Sequence, residues 1–274
     1  MPGAFLTGKT WNIPSDAVKP ARANAKKTEE SPLLARLREE KESKVKGGIY
    51  HKVQVEFAYN SNHIEGSRLS LDQTRFIFET STIDVQSEPV CIDDIVEARN
   101  HFRAVDYVIE CAREPLSEGM LKELHRILKT GTTDSEKDWF AVGEYKRFPN
   151  EVGGRATARP ENIGREIKSL LKSYGARSKH SLKDIVAFHV GFERIHPFQD
   201  GNGRVGRLAM FKECLANDVV PFVIADDMKA FYYRGLSEWD CERGYLFDTC
   251  LAAQDRFKAA LDYFRIPYSE DGLR

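Results

Sequence analysis

From His196 to Arg207 the chain reads HPFQDGNGRVGR. These twelve residues hold an imidazole, a carboxylate, a Gly-Asn-Gly turn and two guanidiniums. Such parts suit a reaction in which a base takes a proton from a hydroxyl, a hard cation is held and a polyphosphate is gripped. Gly201, Asn202 and Gly203 let successive backbone N–H groups face one point, and a following helix N-terminus adds to that anion site. Arg204 and Arg207 lie three apart, so they share a helix face and can each fork a phosphate. Asp200 is a hard oxygen ligand suited to Mg²⁺ on phosphates. Phe198 reads as a core anchor for the loop.

The elements that must position these groups follow from caps and periodicity. Ser181 with Asp184 reads as a capped start for a helix over 182–195, and Pro197 disfavours helical geometry at His196. A tight turn follows, and 204–217 is expected to be helical again. Upstream, Leu33, Leu34 and Leu37 form a short apolar stripe. A helix over 50–64 should stop at Gly66, and Ser70 with Gln73 reads as a capping box opening the next. Further helices are expected over 92–111, 117–128, 160–174, 227–240 and 243–264. Residues 131–159, with Gly153-Gly154 between short extended pieces, read as loop plus β-hairpin. Residues 1–30 lack an apolar period and are expected to be a flexible arm. The fold class is therefore mostly α with one hairpin.

The chain has 274 residues and a formal net charge of −1, which gives no electrostatic reason to expect nucleic acid or an anionic membrane as partner. No apolar run approaches the roughly 18 residues needed to span a bilayer, and no signal-peptide core opens the chain. Five cysteines without a CxxC pair read as reduced thiols, so a cytoplasmic location is expected.

The run HPFQDGNGRVGR resembles the signature of Fic-domain proteins, HxFx(D/E)GNGRxxR, at every specified position. The resemblance implies a Fic-type helical bundle with a β-hairpin flap, and transfer of AMP from ATP to a Ser, Thr or Tyr hydroxyl of a target protein. It makes His196 the general base and Asp200 the holder of Mg²⁺. Asn202 with the Gly201 and Gly203 backbone would cradle phosphate, and Arg204 and Arg207 would neutralise the pyrophosphate. A helix C-terminus favours protonated His196 by about 0.3–1 kcal/mol, but two guanidiniums and Mg²⁺ push the other way, so the imidazole is expected to stay neutral near neutral pH.

Ser61-Asn62-His63-Ile64-Glu65-Gly66 resembles the family's inhibitory motif, (S/T)xxxE(G/N). By that resemblance Glu65 pairs with Arg207 in a bidentate contact and withholds it from the γ-phosphate, with Ser61 in the same motif. The division implied is an arm over 1–30, an inhibitory helical region over 31–115 and a Fic core over 116–274. The stretch Gly143–Gly154 resembles the flap that docks target backbone by strand pairing. It departs from the family at Lys146, where Arg is common, and at Asn150 and Glu151, where apolar residues are. Tyr233 and Asp240 fall where relatives line the nucleobase pocket. Family members often dimerise, so a homodimer is compatible with the resemblance.

Competing readings use the same scaffold for AMP removal, for another donor (UMP, phosphocholine or phosphate), or for ATP sensing without turnover. Doc-like kinases carry Lys in place of the second turn glycine, and Gly203 argues against them. The Walker-A-like string GAFLTGKT at 3–10 leaves no room for the strand that aims a P-loop. His189, Glu193 and His196 share a helix face, but no second ExxH string exists for a di-iron site, and His189 reads as a core histidine. The remaining histidines, 51, 63, 101, 125 and 180, fit no cluster.

Overall fold

The computed structural model describes residues 5–7, 10–12, 30–84 and 89–269. Two compact units emerge, Met1–Glu30 and Ser31–Arg274. In the first, β1 (Phe5–Thr7) pairs antiparallel with β2 (Thr10–Asn12), inside the stretch expected to be a structureless arm. Thr10 thus opens a strand, whereas a P-loop would open a helix there. The rest of that expected arm, apart from Glu30, lies outside the described residues.

The second unit is helical: α1 (Pro32–Ser43), α2 (Ile49–Ile64), α3 (Leu71–Thr80), α4 (Ile92–Glu110), α5 (Glu118–Lys129), α6 (Pro160–Tyr174), α7 (Leu182–Ile195), α8 (Asn202–Asn217), α9 (Lys229–Ser237) and α10 (Gly244–Tyr263). The capping boxes expected at Ser70 and Ser181 are both formed. Helix α2 ends in a Schellman motif: Gly66, at φ +106°, donates to the His63 carbonyl and Ser67 donates to that of Asn62.

The apolar faces of α1, α2, α4, α5, α7 and α8 meet in one core, with Leu34, Phe57, Val105, Leu124, Phe192, Phe198 and Leu208 buried. Helices on both sides of residue 115 therefore share a core. The last turn of α2 is brought against the first turns of α8 by this packing. No helix among the described residues is long and apolar enough to cross a membrane.

In this unit the strands among the described residues are β3 (Glu151–Val152) and β4 (Arg155–Ala156). They flank Gly153 and Gly154, both at positive φ. A two-residue turn with both residues at positive φ is the tight hairpin turn that glycine favours. Mostly α with this small hairpin is the fold class read from the sequence. Two start positions differ by two residues. Helix α8 begins at Asn202, so Asn202 and Gly203 belong to its first turn rather than to a preceding loop. Helix α9 begins at Lys229, after a 3₁₀ turn over Asp226–Met228.

Candidate active site

His196 ends α7 in the left-handed conformation, φ 50° and ψ 63°, and its N–H donates to the Phe192 carbonyl. Pro197 explains why the helix cannot continue. The imidazole Nδ1 faces the Glu193 carbonyl at 3.3 Å. That contact suits a proton on Nδ1 and leaves Nε2 as the acceptor, the tautomer a base needs. Burial, reinforced by the charge of Lys146, lowers its pKa to about 4. His196 is thus neutral at neutral pH, as expected, with burial as the first cause.

The loop after His196 is held from several sides. Asn202 accepts from the Phe198 N–H and donates to the Phe198 carbonyl, both at 2.8 Å. Its amide, expected to cradle phosphate, here clamps the loop, and the side chain is buried. Gly201, at φ +79°, is the N-cap of α8 and has no side chain to cap it. The first N–H groups of α8 therefore have no side-chain cap, the arrangement that binds anions. Below the loop the ring of His125 stacks on Phe198, centroids 4.1 Å apart, and its Nδ1 accepts from the Gly143 N–H. His125, placed in no cluster by sequence, is part of the loop's support.

Arg204 and Arg207 diverge. Arg204 turns to Glu97 and to Asp200 Oδ2, the latter at 3.1 Å. Its guanidinium, expected on the pyrophosphate, is engaged by two carboxylates in this structure. Asp200 Oδ2 also takes Lys129 Nζ at 2.7 Å. Burial would raise the Asp200 carboxyl, but Arg204, Lys129 and the Gly201 N–H hold it well below the usual carboxylate range. Lys129 and Glu97 were not singled out by sequence, because nothing local marks a partner 71 residues away.

Arg207 is buried and donates from Nε to Ser61 Oγ at 3.0 Å, and from Nη2 to the Ser61 carbonyl at 2.9 Å and Glu65 Oε1 at 2.6 Å. The contact with Glu65 thus uses one carboxylate oxygen, not two, because Ser61 takes the rest of that edge. Burial opposes the charge of Arg207, yet Glu65, Tyr232 and Glu193 raise its pKa. A Cβ added to Gly203 would lie 2.3 Å from Glu65 Oε1, so the carboxylate rests against the first turn of α8. Behind Arg207, His189 Nε2 and the Tyr232 hydroxyl are 2.7 Å apart in the core. Burial pushes the Glu193 carboxyl up to about 8, with Arg207 opposing and Glu65 adding.

Tyr233 is partly exposed beside the end of α2, its hydroxyl 3.5 Å from the Ile64 carbonyl. Asp240 pairs with Arg194 at 2.8 Å on the surface. The structure thus ties Tyr233 to the end of α2 and Asp240 to the last turn of α7. At the flap base, Lys146 is buried and donates to Asn150 Oδ1, Thr157 Oγ1 and the His196 carbonyl. The departure from Arg at this position builds a strut between flap and motif.

The Fic/DOC family pattern matches residues 115–214. Among characterised relatives, "Protein adenylyltransferase Fic" of Aedes aegypti is 30% identical over 186 residues, 65% of this chain and 36% of that protein. The protein of the same name in Drosophila grimshawi is 29% identical over 184 residues, again 65% of this chain and 36% of its own length. The chain therefore spans about a third of the curated relatives it matches. A Fic domain containing signaling protein from Bacteroides thetaiotaomicron superposes with a TM-score of 0.62 at 27% identity, covering 84% of this chain and 90% of that one. A Fic family protein from Desulfovibrio desulfuricans shares the fold, with a TM-score of 0.64 at 23% identity over 94% of this chain and 79% of the other. His196, Asp200, Arg204 and Arg207 all lie inside the segment, residues 115–214, that matches the Fic/DOC family.

Proposed function

We propose that the chain is an autoinhibited protein adenylyltransferase that moves AMP from ATP to a Ser, Thr or Tyr hydroxyl of a target protein. The observation that carries this reading is the position of the Glu65 carboxylate, 2.6 Å from Arg207 and against the α8 turn at Gly203. An anion already lies where uncapped N–H groups and a guanidinium would receive a phosphate. A tethered carboxylate competes well with a diffusing ligand. The names of the relatives supply the group moved, an adenylyl group on a protein, and ATP is the donor that carries it.

In the active form Glu65 leaves Arg207, which then takes the γ-phosphate. The target hydroxyl gives its proton to His196 Nε2 as its oxygen bonds to the α-phosphorus. The bond from that phosphorus to the bridging oxygen breaks, and pyrophosphate leaves against Arg207 and the α8 N–H groups. Positioning and charge neutralisation dominate such transfers. Asp200 fits Mg²⁺: it is one hard carboxylate, half exposed at 48%, beside a phosphate site, and Mg²⁺ takes one or two carboxylates with phosphate oxygens. When bound, the ion neutralises phosphate charge. Tyr233 and Asp240 would line the base side, and the Gly143–Gly154 flap would dock target backbone.

Transfer of label from α-labelled ATP to protein tests the reading. Glu65→Gly should raise the rate on the order of a hundredfold, since a misplacement of about 1 Å costs that much. His196→Ala in the same background should abolish it. An unchanged Glu65→Gly rate rejects the inhibition, and an adduct mass of phosphate, UMP or phosphocholine rejects the donor.

A further inference from the structure

Beneath the loop lies a group that neither the motif nor the relatives assign. Lys129, the last residue of α5, is buried, with its side chain 2% exposed. Its ammonium meets three carboxylates: Asp200 at 2.7 Å, Glu97 at 2.8 Å and Asp134 at 3.2 Å. The ring of Phe140 covers it, its centroid 5.6 Å from Nζ. Three carboxylates and an aromatic face fix the lysine far more tightly than a surface ion pair would. Glu97 also binds Arg204, so one carboxylate on α4 anchors both cations that reach Asp200.

Both cations reach the same oxygen of Asp200. Lys129 Nζ and Arg204 Nη2 each bind Oδ2. The carboxylate is thereby held through that oxygen, and neither cation donates a hydrogen bond to Oδ1. We propose that Lys129 is a positioning residue for the metal-binding step, clamping Asp200 through Oδ2 so that Oδ1 is presented to the divalent cation. The proposal rests on Asp200 as the metal ligand in the adenylyltransferase reading. Loss of a group that orients a metal ligand typically costs about 10–100-fold in metal affinity.

Charge and positioning predict opposite signs, and that makes the idea testable. Were Lys129 only a nearby positive charge, its removal would relieve repulsion and tighten metal binding. As a clamp, its removal frees Asp200 to rotate and weakens binding. The probe is Mn²⁺, titrated by electron paramagnetic resonance into the full chain saturated with ADP. ADP carries the α- and β-phosphates and lacks the γ-phosphate that Glu65 would withhold from Arg207, and Glu65 is present in every protein compared.

Lys129→Met should weaken Mn²⁺ binding about tenfold, the low end for loss of an outer-shell partner. ADP affinity measured in EDTA should not change, which a collapsed loop would not allow. If Lys129→Met does not fold, Phe140→Leu uncovers the lysine without changing the charge, and a weaker shift of the same sign is expected. Unchanged or tighter Mn²⁺ binding in the folded variant overturns the clamp while leaving the adenylyltransferase reading intact. If the wild-type ADP complex binds no Mn²⁺ at all, Asp200 is not the ligand and both fail together.

Discussion

Lys146 Nζ lies 2.8 Å from the carbonyl oxygen of His196, and the Lys146 N–H donates to the carbonyl of Pro197. The flap base and the proposed base residue are thus joined through backbone. Burial lowers the Lys146 pKa to about 8, and its charge is the second cause, after burial, holding the His196 imidazole low. Lys146→Met in the Glu65→Gly background should lower kcat by about ten- to a hundredfold through lost positioning. The acid limb of kcat/KM should move to higher pH, because a cation beside the imidazole has gone. Lys146→Arg, which keeps the charge, should leave that limb in place. A pH–rate series on the three proteins checks this, and an unmoved limb in Lys146→Met refutes the coupling.

Ser61 holds the guanidinium that Glu65 also contacts. Its hydroxyl takes Arg207 Nε and its carbonyl takes Nη2, so Ser61→Ala removes one of two anchors. One such bond contributes about 1 kcal/mol net, or roughly fivefold. Ser61→Ala should raise AMP transfer about fivefold, well below the gain from Glu65→Gly. Equal gains from the two variants would mean that Ser61, not Glu65, carries the restraint.

Acid should loosen the fold before it touches the carboxylates. Burial lowers His101, His125 and His189 each from 6.5 to about 3. The unfolded chain binds these protons near pH 6.5 and the folded chain does not until about 3. Stability is therefore full above pH 6.5 and falls as pH drops through the window down to about 3. Each histidine costs about 1.4 kcal/mol per pH unit inside that window. Thermal unfolding at pH 7.5, 6.0 and 5.0 should show a steepening loss of Tm, and His101→Gln should flatten it. A Tm constant from pH 7.5 to 5.0 contradicts the buried neutral state.

What was legible in the sequence had local causes. Helices α6 and α7 begin where Pro160 and the Ser181/Asp184 pair require, and α2 stops at Gly66 for want of any other residue that suits its φ. Helix α8 was read two residues late because Asn202 and Gly203 are poor helix formers on their own. Their helical state comes from Gly201 in the left-handed region and from the Asn202 clamp on Phe198. The Glu65 contact to Arg207 followed from a motif, though not its one-oxygen geometry, and the Ser61 contacts to the same guanidinium emerge only in the structure. Lys129, Glu97 and His125 were invisible as site residues, since each is an ordinary helix residue until folding sets it under the loop. The division of Arg204 from Arg207 has the same origin: equal helix spacing, but different neighbours on α4 and α2.

Helix α2 carries Glu65 on a body that the rest of the molecule needs. Val53, Phe57 and Ala58 are sunk in the interior, and removing the helix would return them to water at about 25 cal/mol for every Å² of apolar surface. Detachment of the whole rod is therefore too expensive a way to part Glu65 from Arg207. Any release of that contact has to be a small event, confined to the closing turn and the torsions of one glutamate. An activator would need to tug on little more than Ile64 to Ser67, and the scaffold would not notice.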